Sequence, residues 1–439
     1  MRTLAGSKRI LFILLIALCA QLDFSHAADY FVATDGDNDD PGTVDEPWLT
    51  LQHAADHVQA GDTVTVAAGQ YDGFELTTSG TAGQRIVFRG EDGARPEVIS
   101  NAPGRTSGIN LEGASFLTIE GFEVNGRDQA GIRAVLCANV TIRDNHTDLN
   151  QIWGIFTGFC DNLLIENNVT TNSRVEHGIY VSNSGDRPVI RDNLIVGNAR
   201  NGIHMNGDLS AGGDGVISDA LVERNVIINN GGGSEVASGG GSGINMDGVQ
   251  NSLTRNNLIY DSRASGISLY RIDGGQPSTG NRVLNNTVLV ASDGRWALNI
   301  QNASSNNTVR NNILLNDHPF RGSMDLCAAC LADFDSDHNV VMDRFTDNGG
   351  SSVQTLGQWQ QSTGQEGQSL VATEVQVFAQ PAGNDYRLSI DSPAVDAGEL
   401  LIDVPADIEG IARPQFFSHD IGAYELPDLS ILFRDRFED

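Results

Sequence analysis

The sequence predicts an all-β chain: a right-handed parallel β-helix, built as a single-stranded solenoid, with an N-terminal capping helix and an irregular C-terminal region. Three observations lead there. A Gly-Ile phrase recurs as SGINLE, AGIRAV, WGIFTG, HGIYVS, NGIHMN, SGINMD and SGISLY, its glycines at 108, 131, 154, 178, 202, 243 and 266. The steps of 23, 23, 24, 24, 41 and 23 residues are the size of one coil of a β solenoid. Within each phrase apolar residues alternate with polar ones, as on a strand with one buried face, and each phrase is followed by a second segment ending in Asn.

The elements follow in chain order. Residues 1–27 carry Arg2, Lys8 and Arg9 ahead of an apolar run and end on small residues, the pattern of a cleaved secretory leader too short to span a membrane. No later run of membrane length exists, so the mature chain is expected to be exported, to the periplasm, cell surface or medium, and not membrane-spanning. Residues 28–100 form the cap and first coils; the Trp48–Gln59 stretch has helical periodicity and would close the open end of the stack. Residues 101–345 are the repeats. Their Asn-terminated segments end at Asn145, Asn168, Asn193, Asn225, Asn257, Asn286 and Asn312; Asn tolerates left-handed turns and can hydrogen-bond along a stack. Residues 346–390 read as an irregular connection, 391–426 as a separate C-terminal segment and 427–439 as a tail.

Composition narrows the function. The net charge of −30 becomes −32 once the leader takes away three positive charges and one negative, which argues against nucleic acid. Lys8 is the only lysine in the sequence, so the mature chain has no amine base. A monomer is expected. Cys137 and Cys160 each lie six residues after their glycine in adjacent coils, which places them at the inter-strand spacing, as a disulfide or as two stacked buried thiols. Cys327 and Cys330 form a lone CxxC that reads as a loop disulfide rather than zinc, since only His318 and His338 stand near enough to complete a ligand set.

The opening DGDNDDPGT loop, amphipathic stretch and GDTVTVAAGQY strand, within Tyr30–Gly90, resemble the start of secreted right-handed β-helix proteins of the pectate-lyase-like superfamily, in which a G-x-D-x-x-x-P-G-T loop, a helix and such a strand open the solenoid. Ser392–Glu425 resembles the "choice-of-anchor" region that follows such helices, and its D-x-x-G-x-x-R-P and D-I-G-A-Y-E pieces imply structural turns at Asp407, Arg413, Asp420 and Glu425. The tail Ile431–Asp439 is similar to short sorting endings of exported proteins. The superfamily includes lyases, hydrolases, epimerases and non-catalytic surface proteins, so the resemblance implies fold more than chemistry.

Its enzymes work on an outer strand face. Here the outward columns gather Tyr180, His204, Asn206, Asn245, Asp247 and Tyr270, bordered by His177, Arg200, Asp208 and Arg271, with Trp153 one coil earlier. The 41-residue coil adds Gly-rich insertions beside this patch, and such insertions wall one side of a groove. A uronic-acid lyase or epimerase needs proton-transferring groups and a cation for the carboxylate; Tyr180, His204, His177, Arg200 and Arg271 are the candidate catalytic residues. Asn206, Asp208, Asn245, Asp247, Tyr270 and Trp153 are the candidate substrate-binding residues. The expected partner is an acidic polysaccharide, acted on by a lyase or epimerase. The alternatives are a non-catalytic carbohydrate-binding or surface protein in which an outward His is only solvated, and a hydrolase using a pair among Asp208, Asp214 and Asp247. No cofactor is required by the sequence; calcium is the one candidate, at Asp35, Asp37, Asp39 and Asp40, where a solvated capping turn is the other reading.

Overall fold

The computed structural model describes residues 27–232 and 240–428. The leader up to residue 26, the middle of the Gly-rich insertion at 233–239 and the tail from 429 lie outside the described residues.

Three long parallel sheets run the length of the solenoid, of 12, 11 and 12 strands. One coil reads Ala130–Ala138 in the second sheet, Val140–Arg143 in the first and His146–Asp148 in the third. The sequence pattern had supplied only the first two strands of each coil. The third follows the Asn corner directly and is often three residues long, as in Val169–Thr171, Leu194–Val196 and Val226–Ile228.

Inward residues of all three sheets make one continuous core. Ile132, Ile155, Ile179, Ile203, Ile244 and Ile267 stack with no exposure, each burial contributing roughly 1.5–3 kcal/mol. The Gly-Ile glycines stand where a side chain would strike the opposite wall of the coil; a Cβ at Gly178 would lie 2.6 Å from Ile195 in the third strand of its own coil.

The corner asparagines form a buried ladder. Each side-chain N–H of Asn145, Asn168, Asn193, Asn225, Asn257, Asn286 and Asn312 donates to the Oδ1 of the next, at 2.9–3.1 Å, ending on Asn339. The left-handed residue, however, is the one before: Asp144, Asn167, Asp192, Arg224, Asn256, Asn285, Asn311 and His338 carry φ between 50° and 57°. That turn points the following Asn into the stack, where its amide satisfies backbone groups no strand reaches.

Thr50 caps the N-terminal helix Leu51–His57 by accepting from the His53 N–H at 3.2 Å, and Leu51, Ala54 and Ala55 close the first coil. The expectation of an irregular 346–390 connection is corrected. It contains a helix, Leu356–Thr363, started by a Thr355/Gln358 capping box, whose buried Trp359 stacks on Phe345 at 5.4 Å and seals the other end of the core.

The C-terminal segment docks along the solenoid. Asn256, Asn285 and Asn311 donate to the carbonyls of Ala406, Asp420 and Glu399 at 2.8–2.9 Å, while Arg282 and Arg310 pair with Asp403 and Glu399. Inside it Arg413 and Glu425 form a fully buried ion pair at 2.7 Å, and Asp407 and Asp420 accept backbone N–H groups at 2.6–2.9 Å. Cys137 and Cys160 face each other in register and are joined, Cα to Cα 4.5 Å, and Cys327 joins Cys330.

Candidate functional site

The second sheet carries the outward columns in the expected register. Arg133 stands beside Phe156, Phe156 beside Tyr180, Tyr180 beside His204, His204 beside Asn245, Asn245 beside Ser268 and Ser268 beside Asn299. Asn206, Asp247 and Tyr270 align in the neighbouring column. A cleft of about 540 Å³ opens over this face.

Two loops wall it. The insertion after Gly207 and the turn after Tyr270 bind one another through Leu209 N–H to the Asp273 carbonyl, 2.9 Å, and Gly275 N–H to the Gly215 carbonyl, 2.6 Å. Beneath them Asp247 is buried, its carboxylate accepting the N–H groups of Ile272, Asp273 and Gly274 at 2.9–3.0 Å. Asp247 therefore fixes the loop that carries Asp273 into the cleft. Asp208 and Asp214 likewise accept N–H groups, from Ser210 and Val216 of their own turns, so each of the three hydrolase candidates is engaged in holding a turn.

On the cleft floor Tyr180 and His204 stack at 4.9 Å with rings 12° apart, and Phe156 and Trp153 continue the aromatic row. Trp153 donates its indole N–H to Glu176 at 2.8 Å. His177 stands edge-on to Tyr180 and His204. Its Nδ1 accepts the Asn201 N–H at 3.2 Å, so the ring proton is on Nε2, which donates to His204 Nδ1 at 3.0 Å. His204 consequently carries its own proton on Nε2, a buried atom without a partner among the described residues. Burial, then the neighbouring His204 and Arg200, hold His177 well below the usual imidazole range; burial takes His204 down to about 3. Both rings are neutral in the physiological range.

The tyrosines behave differently. Asn206 donates to the Tyr180 hydroxyl at 3.1 Å and Asn245 to that of Tyr270 at 2.6 Å. Each phenol thus accepts a side-chain amide and keeps its own proton to donate. Burial raises both phenols above the ordinary value, so they remain protonated. Asp273 is pushed up by burial and by the carboxylates of Asp247 and Asp208, an effect that the nearby Asn206 amide partly offsets. Tyr180 and Asn206 are thus bonded to each other, with the Asp273 carboxylate close by.

Arg200 lines the cleft with its Nε buried and without a partner among the described residues, and Arg295 lines it from three coils on. Neither makes an ion pair among the described residues, whereas most arginines of the outer faces do. Arg271 is exposed and lies outside the cleft lining. The sequence reading placed Asn299 and Gln301 in the outward columns without counting them in the site and left out Glu176, Arg295 and Asp273; all five line the cleft. Asn299 and Gln301 were visible as the next steps of the columns; Asp273 sits in a loop with no period to reveal it. Among the described residues no three His, Cys, Asp or Glu side chains gather as a metal cluster.

Similarity to known proteins agrees with this architecture. Pectate lyase PEL9 of Emericella nidulans is 39% identical over 70 residues, 15% of this chain and 17% of that protein. The uncharacterized protein YwoF of Bacillus subtilis is 29% identical over 134 residues, 27% of this chain and 29% of that one. The matches thus span less than a third of either relative. Among solved structures, pectate lyase Pel9A superposes with a TM-score of 0.62 at 14% identity, covering 91% of this chain and 97% of that one. A rhamnogalacturonan lyase gives 0.53 at 17% identity over 88% and 99%. An alginate lyase of Paenibacillus sp. gives 0.51 at 20% over 62% and 94%. At such identities these superpositions speak for the fold. Residues 30–307, holding the cap and all the coils that build the cleft, match the family model described as "Pel9A-like, right handed beta helix region", and the chain belongs to that family.

Proposed function

We propose that the cleft binds an acidic polysaccharide and acts on it as a uronic-acid lyase or C5 epimerase. The observation that carries this reading is the hydrogen-bonded Tyr180–Asn206 pair with the Asp273 carboxylate close by, beside Arg200, a cation without a carboxylate partner among the described residues. Names of relatives that act on pectate, rhamnogalacturonan and alginate support it.

Both reactions begin by removing the proton at C5 of a uronate, which puts negative charge on the adjacent carboxylate. Arg200 stabilises that charge; a guanidinium stays protonated and serves as the cation, not the base. Asp273 accepts the C5 proton, its raised proton affinity suiting the task. In elimination the C5 electron pair forms the C4=C5 bond as C4–O breaks, and Tyr180 gives its proton to the leaving oxygen. In epimerisation the same phenol returns a proton to the opposite face of C5. His177 and His204 position Tyr180 through the ring stack and edge contacts. The reaction belongs outside the cytoplasm on the strength of the leader-like residues 1–27.

The test is incubation of the mature chain with pectate, alginate, glucuronan and glycosaminoglycans, with and without calcium. It follows the ultraviolet absorbance of a 4,5-unsaturated uronate, reducing ends, and C5 exchange with deuterated water. Tyr180→Phe and Asp273→Asn are expected to lower kcat at least 100-fold, on the order of 3 kcal/mol in the barrier, with the fold intact. Reducing ends without unsaturation would replace elimination by hydrolysis. Silence in all three readouts, with binding retained, would leave a carbohydrate-binding protein.

A further inference from the structure

Beyond Asn299 the column continues to Asp325, which pairs with it in register one coil on. A second cleft of about 280 Å³ opens there, lined by Arg295, Trp296, Asn299, Gln301, Arg321 and Asp325. It shares Arg295, Asn299 and Gln301 with the first, so the two are one groove. From His204 to Asp325 is four strand steps, roughly 19 Å at the inter-strand spacing.

The chemistry of this end is distinct. Arg321 is held by donating from Nη1 to the Gly294 carbonyl at 2.5 Å, which leaves its other N–H groups for the cleft. Arg295 and Arg321 make no ion pair among the described residues. Asp325 is only 7% exposed, yet its Oδ1 has no hydrogen-bond partner among the described residues. An unsatisfied buried acceptor is costly, and a ligand hydroxyl would satisfy it. Two cations and one buried acceptor in a small cleft match a single sugar that bears both a carboxylate and hydroxyls.

We propose that Arg295, Arg321 and Asp325 form a second uronate subsite. The sugar's carboxylate lies on the two guanidiniums and one of its hydroxyls donates to Asp325 Oδ1, so that the groove grips a chain at a point remote from the reacting bond. The proposal rests on the reading of the groove as a site for acidic polysaccharide. It adds a length requirement: short oligomers seated at Tyr180 do not reach it.

The experiment is isothermal titration of the full mature chain with dimers and hexamers of galacturonate, mannuronate and glucuronate, and with a neutral hexasaccharide. It is repeated on Arg321→Gln and Asp325→Asn, with thermal unfolding as the folding control, and ultraviolet absorbance is recorded on the same samples. The expected result is that one uronate hexamer binds at least tenfold more tightly than its dimer, and that both variants lose most of that advantage while leaving dimer affinity unchanged. Equal loss for dimer and hexamer, no loss in either variant, equal binding of the neutral hexasaccharide, or no binding by any uronate would overturn the subsite. Length-dependent, Arg321-dependent binding without new absorbance would uphold the subsite and reject the lyase. New absorbance with indifferent variants would do the reverse.

Discussion

Replacing Asn225 by alanine should remove about 4 kcal/mol of stability. Its Oδ1 accepts the Asn193 backbone N–H at 3.1 Å and the Asn193 Nδ2 at 2.9 Å. Its Nδ2 donates to the Ile190 carbonyl and to Asn257 Oδ1, both at 2.9 Å. Four bonds disappear at a residue with no exposure, and each is worth about 1 kcal/mol net in such a setting. The Asn193 backbone N–H is left buried without its acceptor, which adds to the cost, while its Nδ2 keeps the Ile165 and Arg191 carbonyls. Against a total of about 5–15 kcal/mol the loss is large. Equilibrium urea unfolding followed by far-ultraviolet circular dichroism and by tryptophan fluorescence measures it. Asn101→Ala, which breaks an exposed bond to Asp128, should change stability by less than about 0.5 kcal/mol. A change under about 1 kcal/mol for Asn225→Ala, at unchanged urea dependence, would refute the view that the ladder holds the coils together.

The imidazoles of His177 and His204 should not titrate between pH 8 and 5 by NMR; a midpoint between 6 and 7 for either would contradict the assigned tautomers. His204 lies at about 3 in the folded chain and near 6.5 unfolded, so the unfolded state binds the extra proton as pH falls through 6.5. The stability that the neutral ring contributes is then withdrawn, about 2 kcal/mol by pH 5. Comparing the native chain with His204→Gln at pH 7 and 5 isolates this, because Glu374 and Glu425, both raised to about 7, titrate equally in the two. Replacing Cys137 and Cys160 together by serine, which opens a closure of 23 residues, should cost roughly 3 kcal/mol in the loop-entropy account; an unchanged urea midpoint would count against that bond as a support.

The second sheet was readable because its strands carry the longest unbroken alternation and a glycine that sterics require, so period and register followed together. The third sheet was not, since a three-residue strand directly after a corner offers no period to detect. The ladder asparagines were found for a partly mistaken reason: they stack, but the left-handed turn belongs to the residue before. At the site, register brought Tyr180, His204, Asn206, Asn245 and Tyr270 together in advance. It could not reveal that the two histidines are neutral, because burial by the loops and the Asn201 N–H decide that. Asp273 and Arg321 stand outside the strand repeat and are placed by tertiary bonds to Asp247 and Gly294. The C-terminal segment looked separate in sequence because its partners, Asn256, Asn285 and Asn311, are spread over three coils.

A net charge of −30 and a polyanionic ligand are reconciled by where the arginines are paired. Along the first sheet Arg143, Arg191 and Arg255 meet Glu120, Glu166 and Glu223, and their fields cancel within an ion pair. In the groove Arg200, Arg295 and Arg321 meet no carboxylate among the described residues. Attraction is therefore short-ranged and repulsion long-ranged. The Debye length shrinks from about 30 Å at 0.01 M salt to about 8 Å at 0.15 M, which removes the repulsion of the distant acidic surface before it weakens contact with a half-buried guanidinium. The association rate for an oligouronate should accordingly rise a few-fold over that range, while the dissociation rate changes little. Stopped-flow tryptophan fluorescence provides the assay, through Trp296 in the groove lining and Trp153 beside Tyr180. A rate that falls steeply with salt, as it does for proteins steered by a net opposite charge, would mean that the arginines of the groove act together with a wider positive field and that the pairing pattern does not govern capture.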